Sequence, residues 1–190
     1  MPKIKKKELM NGAVFSIHVE GEGYTLAQLR DDCQMEVFNI LREEDVWDNI
    51  DLNEVEVLFC IVVASHRLLK LFSRNVTNEI IVNSRNRILL GLSYTQSLRH
   101  TGLFGFNLIE YDNPYNSNNE RILIENLDPV EHKDILYSYE SLGMNGKPDK
   151  IKDRISRYFM TGINWDVSKE VLYPELQPPS KDYKKTIYEP

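Results

Sequence analysis

The chain has only two cysteines, Cys33 and Cys60, and no C-x-x-C pair, so the sequence offers no zinc ribbon and no thioredoxin-like redox motif. Both thiols read as buried, as expected in a reducing compartment; a bridge between them stays open at this point. The four histidines, His18, His66, His100 and His132, form no H-x-H or H-E-x-x-H pair, which leaves no metal-ligand spacing to build on. Ser65 stands beside His66, but a triad needs a base approaching through space and a third orienting group. G-x-S-x-G, Walker and G-x-G-x-x-G loops are absent, and no carboxylate pair sits where a raised pKa is expected. The reading is therefore no catalytic residue, no metal and no cofactor.

Hydrophobic runs are short. The longest, from Val57 to Ala64, falls well below the roughly 20 residues a membrane-spanning helix needs. The first residues, Met-Pro-Lys-Ile-Lys-Lys-Lys, have no apolar region after their charges and do not read as a secretory signal. A cytoplasmic protein without membrane attachment is expected. Cationic excess is missing too: the formal charge is −6, with 29 Asp and Glu against 23 Lys and Arg. That argues against nucleic acid, whose binding rests on clustered Lys and Arg, and suits a basic protein partner or simply solubility.

What is present is an ordinary globular composition over 190 residues, enough for one domain with a real core. Residues 1–10 form a basic arm. Ala13 to Val19 alternates Val14 and Ser16 against Phe15, Ile17 and Val19; Gly21-Glu22-Gly23 then joins it to Tyr24–Leu29, a hairpin pattern. Met35 to Leu41 continues the meander. Val55 to Ala64, apolar on both faces, is placed at the centre of the sheet. Shorter extended segments follow at Glu79–Val82, Ile88–Tyr94, Leu103–Tyr111 and Arg121–Glu125, with a polar loop at Asn113–Asn119. Asp128-Pro129 with Glu131 reads as a capped helix start stopped at Gly143. Ile151, Ile155, Tyr158 and Phe159 form an amphipathic stripe closed by Gly162. The order predicts an α+β domain over 11–172: a mostly antiparallel, curled, barrel-like sheet with two C-terminal helices packed on it, then a Pro-rich tail at 173–190.

The most distinctive local feature is residues 43–54. Glu43, Glu44, Asp45, Asp48, Asp51 and Glu54 place six carboxylates in twelve residues with no Lys or Arg among them, and Trp47 lies inside the run. A solvated loop and a surface for a cationic partner both fit. An exposed Trp47 would serve as an interface anchor, whereas a buried one would pin the loop to the core.

Several segments resemble one family. Asn11-Gly12-Ala13-Val14-Phe15-Ser16-Ile17, Gly23-Tyr24 with Gln28-Leu29, Glu36-Val37-Phe38-Asn39-Ile40, Leu58-Phe59-Cys60-Ile61-Val62-Val63, and Asp153-Arg154-Ile155 with Tyr158-Phe159 and Gly162-x-Asn164-Trp165 are similar to the strands and closing helix of the immunity protein 26 group of bacterial polymorphic toxin systems. The resemblance implies a protein that binds and neutralises a cognate toxin domain, a nuclease among the candidates, and it carries over no catalytic residue. Partner contacts are placed at Glu43, Glu44, Asp45, Trp47, Asp48, Asp51 and Glu54. A hydrolase without a recognisable motif and a generic ligand-binding or interaction module are the alternatives. The oligomeric state is left open.

Overall fold

The computed structural model describes residues 4–87, 89–95, 105–114 and 119–188; His100 and most of the 113–119 loop lie outside them. The fold is α+β and mostly antiparallel. Contacts gather the chain into two compact units, residues 1–87 with 144–161 and residues 88–143 with 162–190, and each is described by itself.

The first unit is built on the meander. β1 (Val14–Val19), β2 (Gly23–Leu29) and β3 (Gln34–Phe38) pair in sequence order, antiparallel. The β1–β2 connection depends on Gly23, whose φ is +125° and where a Cβ would fall 2.2 Å from the Arg42 carbonyl oxygen. Only glycine fits that approach, which lets Tyr24 exchange backbone hydrogen bonds with Arg42. The β2–β3 turn is unusual: Asp32 and Cys33 both have φ of +57°, and the Gln34 N–H donates to the Asp31 carbonyl at 3.2 Å. Two consecutive positive φ values match the twist of a hairpin, and Asp-Gly is the preferred pair there. Cys33→Gly is therefore expected to stabilise the unit by about 1 kcal/mol, since a left-handed non-glycine residue costs about 1–2 kcal/mol; urea denaturation showing no rise in midpoint would refute this.

β5 (Val57–Val62) pairs with β3, and β6 (Arg74–Asn75) pairs with β1, giving the order β5-β3-β2-β1-β6. Two expectations are corrected. The sheet is open, with β5 and β6 at its ends, so it forms no barrel; a two-residue β6 is too short to carry closure. The apolar strand lies at an edge and not in the centre. Its composition reflects burial of its two faces, which is independent of its place in the ladder. Beyond it the chain at Asn145 takes up free edge groups: the Asn145 N–H donates to the Val62 carbonyl, and the Ala64 N–H to the Asn145 carbonyl, both at 2.8 Å.

Both sheet faces are covered. Phe15, Ile17, Val19, Ala27, Leu29, Met35 and Val37 pack in one cluster with Ile151 and Ile155 of the long helix at Pro148–Thr161. Tyr158 and Phe159 join the same cluster, as the stripe predicts. Val14, Leu26 and Phe38 face the other way, against Trp47, Leu52 and Val76. A pair of two-residue parallel strands, β4 (Ile50–Asp51) and β7 (Ile80–Ile81), completes the unit.

The second unit holds a three-stranded antiparallel sheet of β8 (Leu90–Tyr94), β9 (Phe106–Glu110) and β10 (Arg121–Ile124), ordered β10-β9-β8. Its helices are α1 (Lys133–Ser138) and α3 (Lys169–Leu172), the Pro148–Thr161 helix of the first unit being α2. The two helices expected on one sheet thus belong to different units. The helix expected from Asp128 starts later, at Lys133 after His132, which makes no side-chain cap bond; Asp128 instead closes the preceding turn, its Oδ1 accepting the N–H groups of Val130 at 2.8 Å and Glu131 at 2.9 Å, and these bonds hold the exposed carboxyl below its usual range. The helix also ends early, at Ser138, five residues before Gly143. The backbone of 140–142 goes to β8 instead, with the Leu92 N–H donating to the Glu140 carbonyl and the Leu142 N–H to the Leu92 carbonyl. The Pro-rich segment is no mere tail, because Tyr173 and Leu176 are buried in this unit's core. The Tyr173 hydroxyl accepts the Phe106 N–H at 2.8 Å, and burial holds the phenol above its ordinary pKa.

Candidate functional site

Residues 43–54 emerge from the Tyr24–Arg42 pairing and run to β5. Trp47 is fully buried, so it pins the loop and offers no contact surface. Its indole N–H donates to Asp45 Oδ1 at 2.5 Å, and Arg42 lies over the ring at 5.5 Å. Asp45 is likewise committed inward. Its Oδ2 accepts from the Ser16 hydroxyl at 2.9 Å and pairs with Arg74 Nε at 3.2 Å. Arg74 also pairs with Glu79 and donates to the Asp45 carbonyl at 2.6 Å. The hydrogen bond to Glu79, then the charge of Asp45, raise the Arg74 pKa against the opposing effect of burial. Asp51 Oδ1 accepts from the Asn53 backbone N–H and side-chain amide, both at 2.8 Å, a local turn bond.

The seven residues read from the sequence as one surface therefore divide. Glu43, Glu44, Asp48 and Glu54 are exposed; Asp45 and Asp51 are half-buried and bonded; Trp47 is core. Ser16, Arg74 and Glu79 are the partners that sequence reading missed. Each is at least 29 residues from Asp45, and no local pattern links them. The charge is unevenly divided between the units. The first unit, which contains the acidic run, balances sixteen Lys and Arg with sixteen Asp and Glu, while the second holds seven against thirteen and so carries the whole net charge of −6.

A second polar cluster lies where β2 and β3 meet residues 83–87. Glu36, 5% exposed, accepts from Arg30 at 3.0 Å and from the Asn83 amide at 2.8 Å. Gln28 exchanges two hydrogen bonds with the Asn83 backbone. Arg85 donates to Asn83 Oδ1 and to the carbonyls of Leu52 and Val55. These bonds fasten the 83–87 segment to the sheet, and the charge of Glu36 is spent on that task.

Neither cysteine fits the buried reading closely: Cys33 is exposed and Cys60 half-buried, and neither forms a disulfide. Cys60 pairs with Glu36, while Cys33 precedes Gln34, which pairs with Val62. Three residues of strand, about 10 Å, separate them, beyond the roughly 7 Å limit for a bridge. Among the described residues no group of three or more His, Cys, Asp and Glu side chains could hold a metal ion, and no helix is long and apolar enough to cross a membrane. An open groove of about 570 Å³ runs past Glu8, Asn11, Asn75, Thr77 and Glu79, beside the Arg74 cluster.

A family model matches residues 2–178, and its description is a domain of unknown function, DUF8309. The chain belongs to the DUF8309 family. The DUF8309 match covers most of both units and stops ahead of residues 179–190. No curated protein and no solved structure matches the chain.

Proposed function

We propose that this DUF8309 protein is a cytoplasmic immunity protein that binds and neutralises a cognate bacterial toxin domain by covering its active or substrate-binding face, without catalysis of its own. The likeness of the quoted segments to the immunity protein 26 group supports the toxin as partner. The observation that carries the reading of the surface is the division of the acidic loop. Trp47, Asp45 and Arg74 hold it to the sheet while Glu43, Glu44, Asp48 and Glu54 stay in solvent. A loop anchored in this way presents its charges at little further entropic cost on binding. Against a nuclease, four carboxylates would stand in for the phosphates of its substrate and speed encounter with its basic cleft.

The test is binding to the toxin domain encoded beside the gene. Replacing Glu43, Glu44, Asp48 and Glu54 together by Lys is expected to weaken binding at least tenfold, mainly through slower association, and to leave stability within about 0.5 kcal/mol. Affinity that survives both this reversal and about 0.5 M salt, where exposed charges are largely screened, would remove the acidic loop from the interface. Turnover of a substrate, abolished by a chelator, would favour a hydrolase instead.

A further inference from the structure

β10 lies at one end of the three-stranded sheet of the second unit. The other end, β8, is covered by residues 140–142 through the bonds of Leu92 to Glu140 and Leu142. Among the described residues no strand or bridge pairs with the outer side of β10. A free sheet edge presents unpaired backbone N–H and C=O groups, and proteins ordinarily blunt it with Lys, Pro, inward-pointing charge or a bulge. Only the bulge is present here. The pairing with β9 slips by one residue between Ile122 and Ile124, so Leu123 and Ile124 both pack on the core while Ile122 stays 55% exposed. The segment Arg121-Ile122-Leu123-Ile124-Glu125 holds three aliphatic residues in a row, bounded by one cation and one anion.

The occupant is indicated by the segment itself, which complements its own reverse. Antiparallel pairing of two copies about Leu123 sets Arg121 opposite Glu125 twice, Ile122 opposite Ile124 twice and Leu123 opposite itself. Opposite charges and aliphatic pairs directly across a ladder are favourable, and like charges are unfavourable. A shift of one residue in one direction sets Glu120 against Glu125, and in the other direction Ile122 against Glu125, so charge selects the register centred on Leu123. Both charged groups are accessible. Arg121 Nη2 holds Glu110 of β9 at 2.9 Å with the arginine side chain 64% exposed, which leaves further guanidinium donors for a second carboxylate. Glu125 is exposed and makes no ion pair among the described residues.

We propose that two copies of this chain associate through β10, extending each three-stranded sheet into one antiparallel sheet of six strands with Arg121 of each copy paired to Glu125 of the other. The dimer surface lies in the second unit and is independent of the toxin-binding surface read from the acidic loop of the first. Five residues of edge fall short of the roughly 1,200 Å² of a stable interface, so the association is weak and reversible.

The experiment is sedimentation equilibrium of the full chain at concentrations up to about 1 mM. The wild type is expected to show a concentration-dependent monomer–dimer equilibrium. Arg121→Glu and Glu125→Arg each place like charges at both crossings, and each alone should weaken self-association by at least about tenfold. An equal mixture of the two variants should recover association close to that of the wild type, because every crossing again sets Glu against Arg. Loss of the Arg121–Glu110 pair within one copy could weaken the first variant, but it would not restore association in the mixture. Thermal midpoints of the two variants check that each is folded. A wild type that stays monomeric throughout, self-association untouched by either change, or a mixture that associates no better than the separate variants would overturn the proposal.

Discussion

Trp47→Ala is expected to lower the stability of the first unit by about 4 kcal/mol, within the range for removing a fully buried aromatic side chain. Trp47 is 0% exposed and packs with Val14, Leu26, Phe38, Leu52 and Val76 on one face of the sheet. Its removal leaves a cavity on that face and deprives Asp45 of a donor. Asp45 keeps Ser16 and Arg74, so the charge is not orphaned and the cost comes mostly from the void. Trp47→Phe separates the contributions, since it fills most of the space and loses only the indole hydrogen bond, for about 1–2 kcal/mol. Urea denaturation followed by circular dichroism measures both. A loss below about 1 kcal/mol for the alanine variant would mean that Trp47 does not anchor the loop. The functional corollary is indirect: binding through Glu43, Glu44, Asp48 and Glu54 would weaken in the alanine variant because their platform loosens.

The second large effect is expected in the other unit. Lys169 is 1% exposed, a rare position for lysine. Its Nζ lies 2.5 Å from the Leu136 carbonyl oxygen and 2.7 Å from that of Tyr139, at the C-terminal end of α1. The last carbonyls of a helix have no partner within it, and a cation there satisfies them and complements the helix dipole. The ammonium also lies 5.4 Å from the Trp165 ring centroid, and the Trp165 indole N–H donates to Glu170 Oε1 at 2.8 Å. Lys169→Met keeps most of the aliphatic stem, removes both charged hydrogen bonds and leaves two carbonyls unsatisfied, for a loss of about 3 kcal/mol. Trp165 fluorescence in a Trp47→Phe background reports it, because each unit has one tryptophan. A denaturation midpoint unmoved by the change would show that the bonds to Leu136 and Tyr139 are dispensable.

Much of the local structure was legible from residue order. The alternation of Phe15, Ile17 and Val19 against Val14 and Ser16 gives β1 and its two faces, and the stripe of Ile151, Ile155, Tyr158 and Phe159 gives α2 and its buried side. The helix expected from Asp128 to Gly143 is misplaced at both ends, since α1 runs only from Lys133 to Ser138. The Asp128 bonds reach only two and three residues and close a turn, whereas the end was decided by competition from β8 for the backbone of 140–142. The acidic run was visible as composition, but its division was not. Six carboxylates look alike in sequence, and only Ser16 and Arg74, distant along the chain, distinguish Asp45 from Glu44.

The sequence by itself determined the short-range features, because they depend on steric and hydrogen-bonding preferences over two to eight residues: the meander, the glycine-containing turn that starts it, the amphipathic helix, and the scarcity of cysteine, histidine and long apolar runs. Tertiary structure alone decided which strand forms the edge, that the sheet stays open, that the charge of −6 resides in one unit, that Trp47 is a pin, and that a lysine closes α1. Those outcomes depend on which distant groups meet, and the desolvation that makes such meetings decisive has no signature in local order.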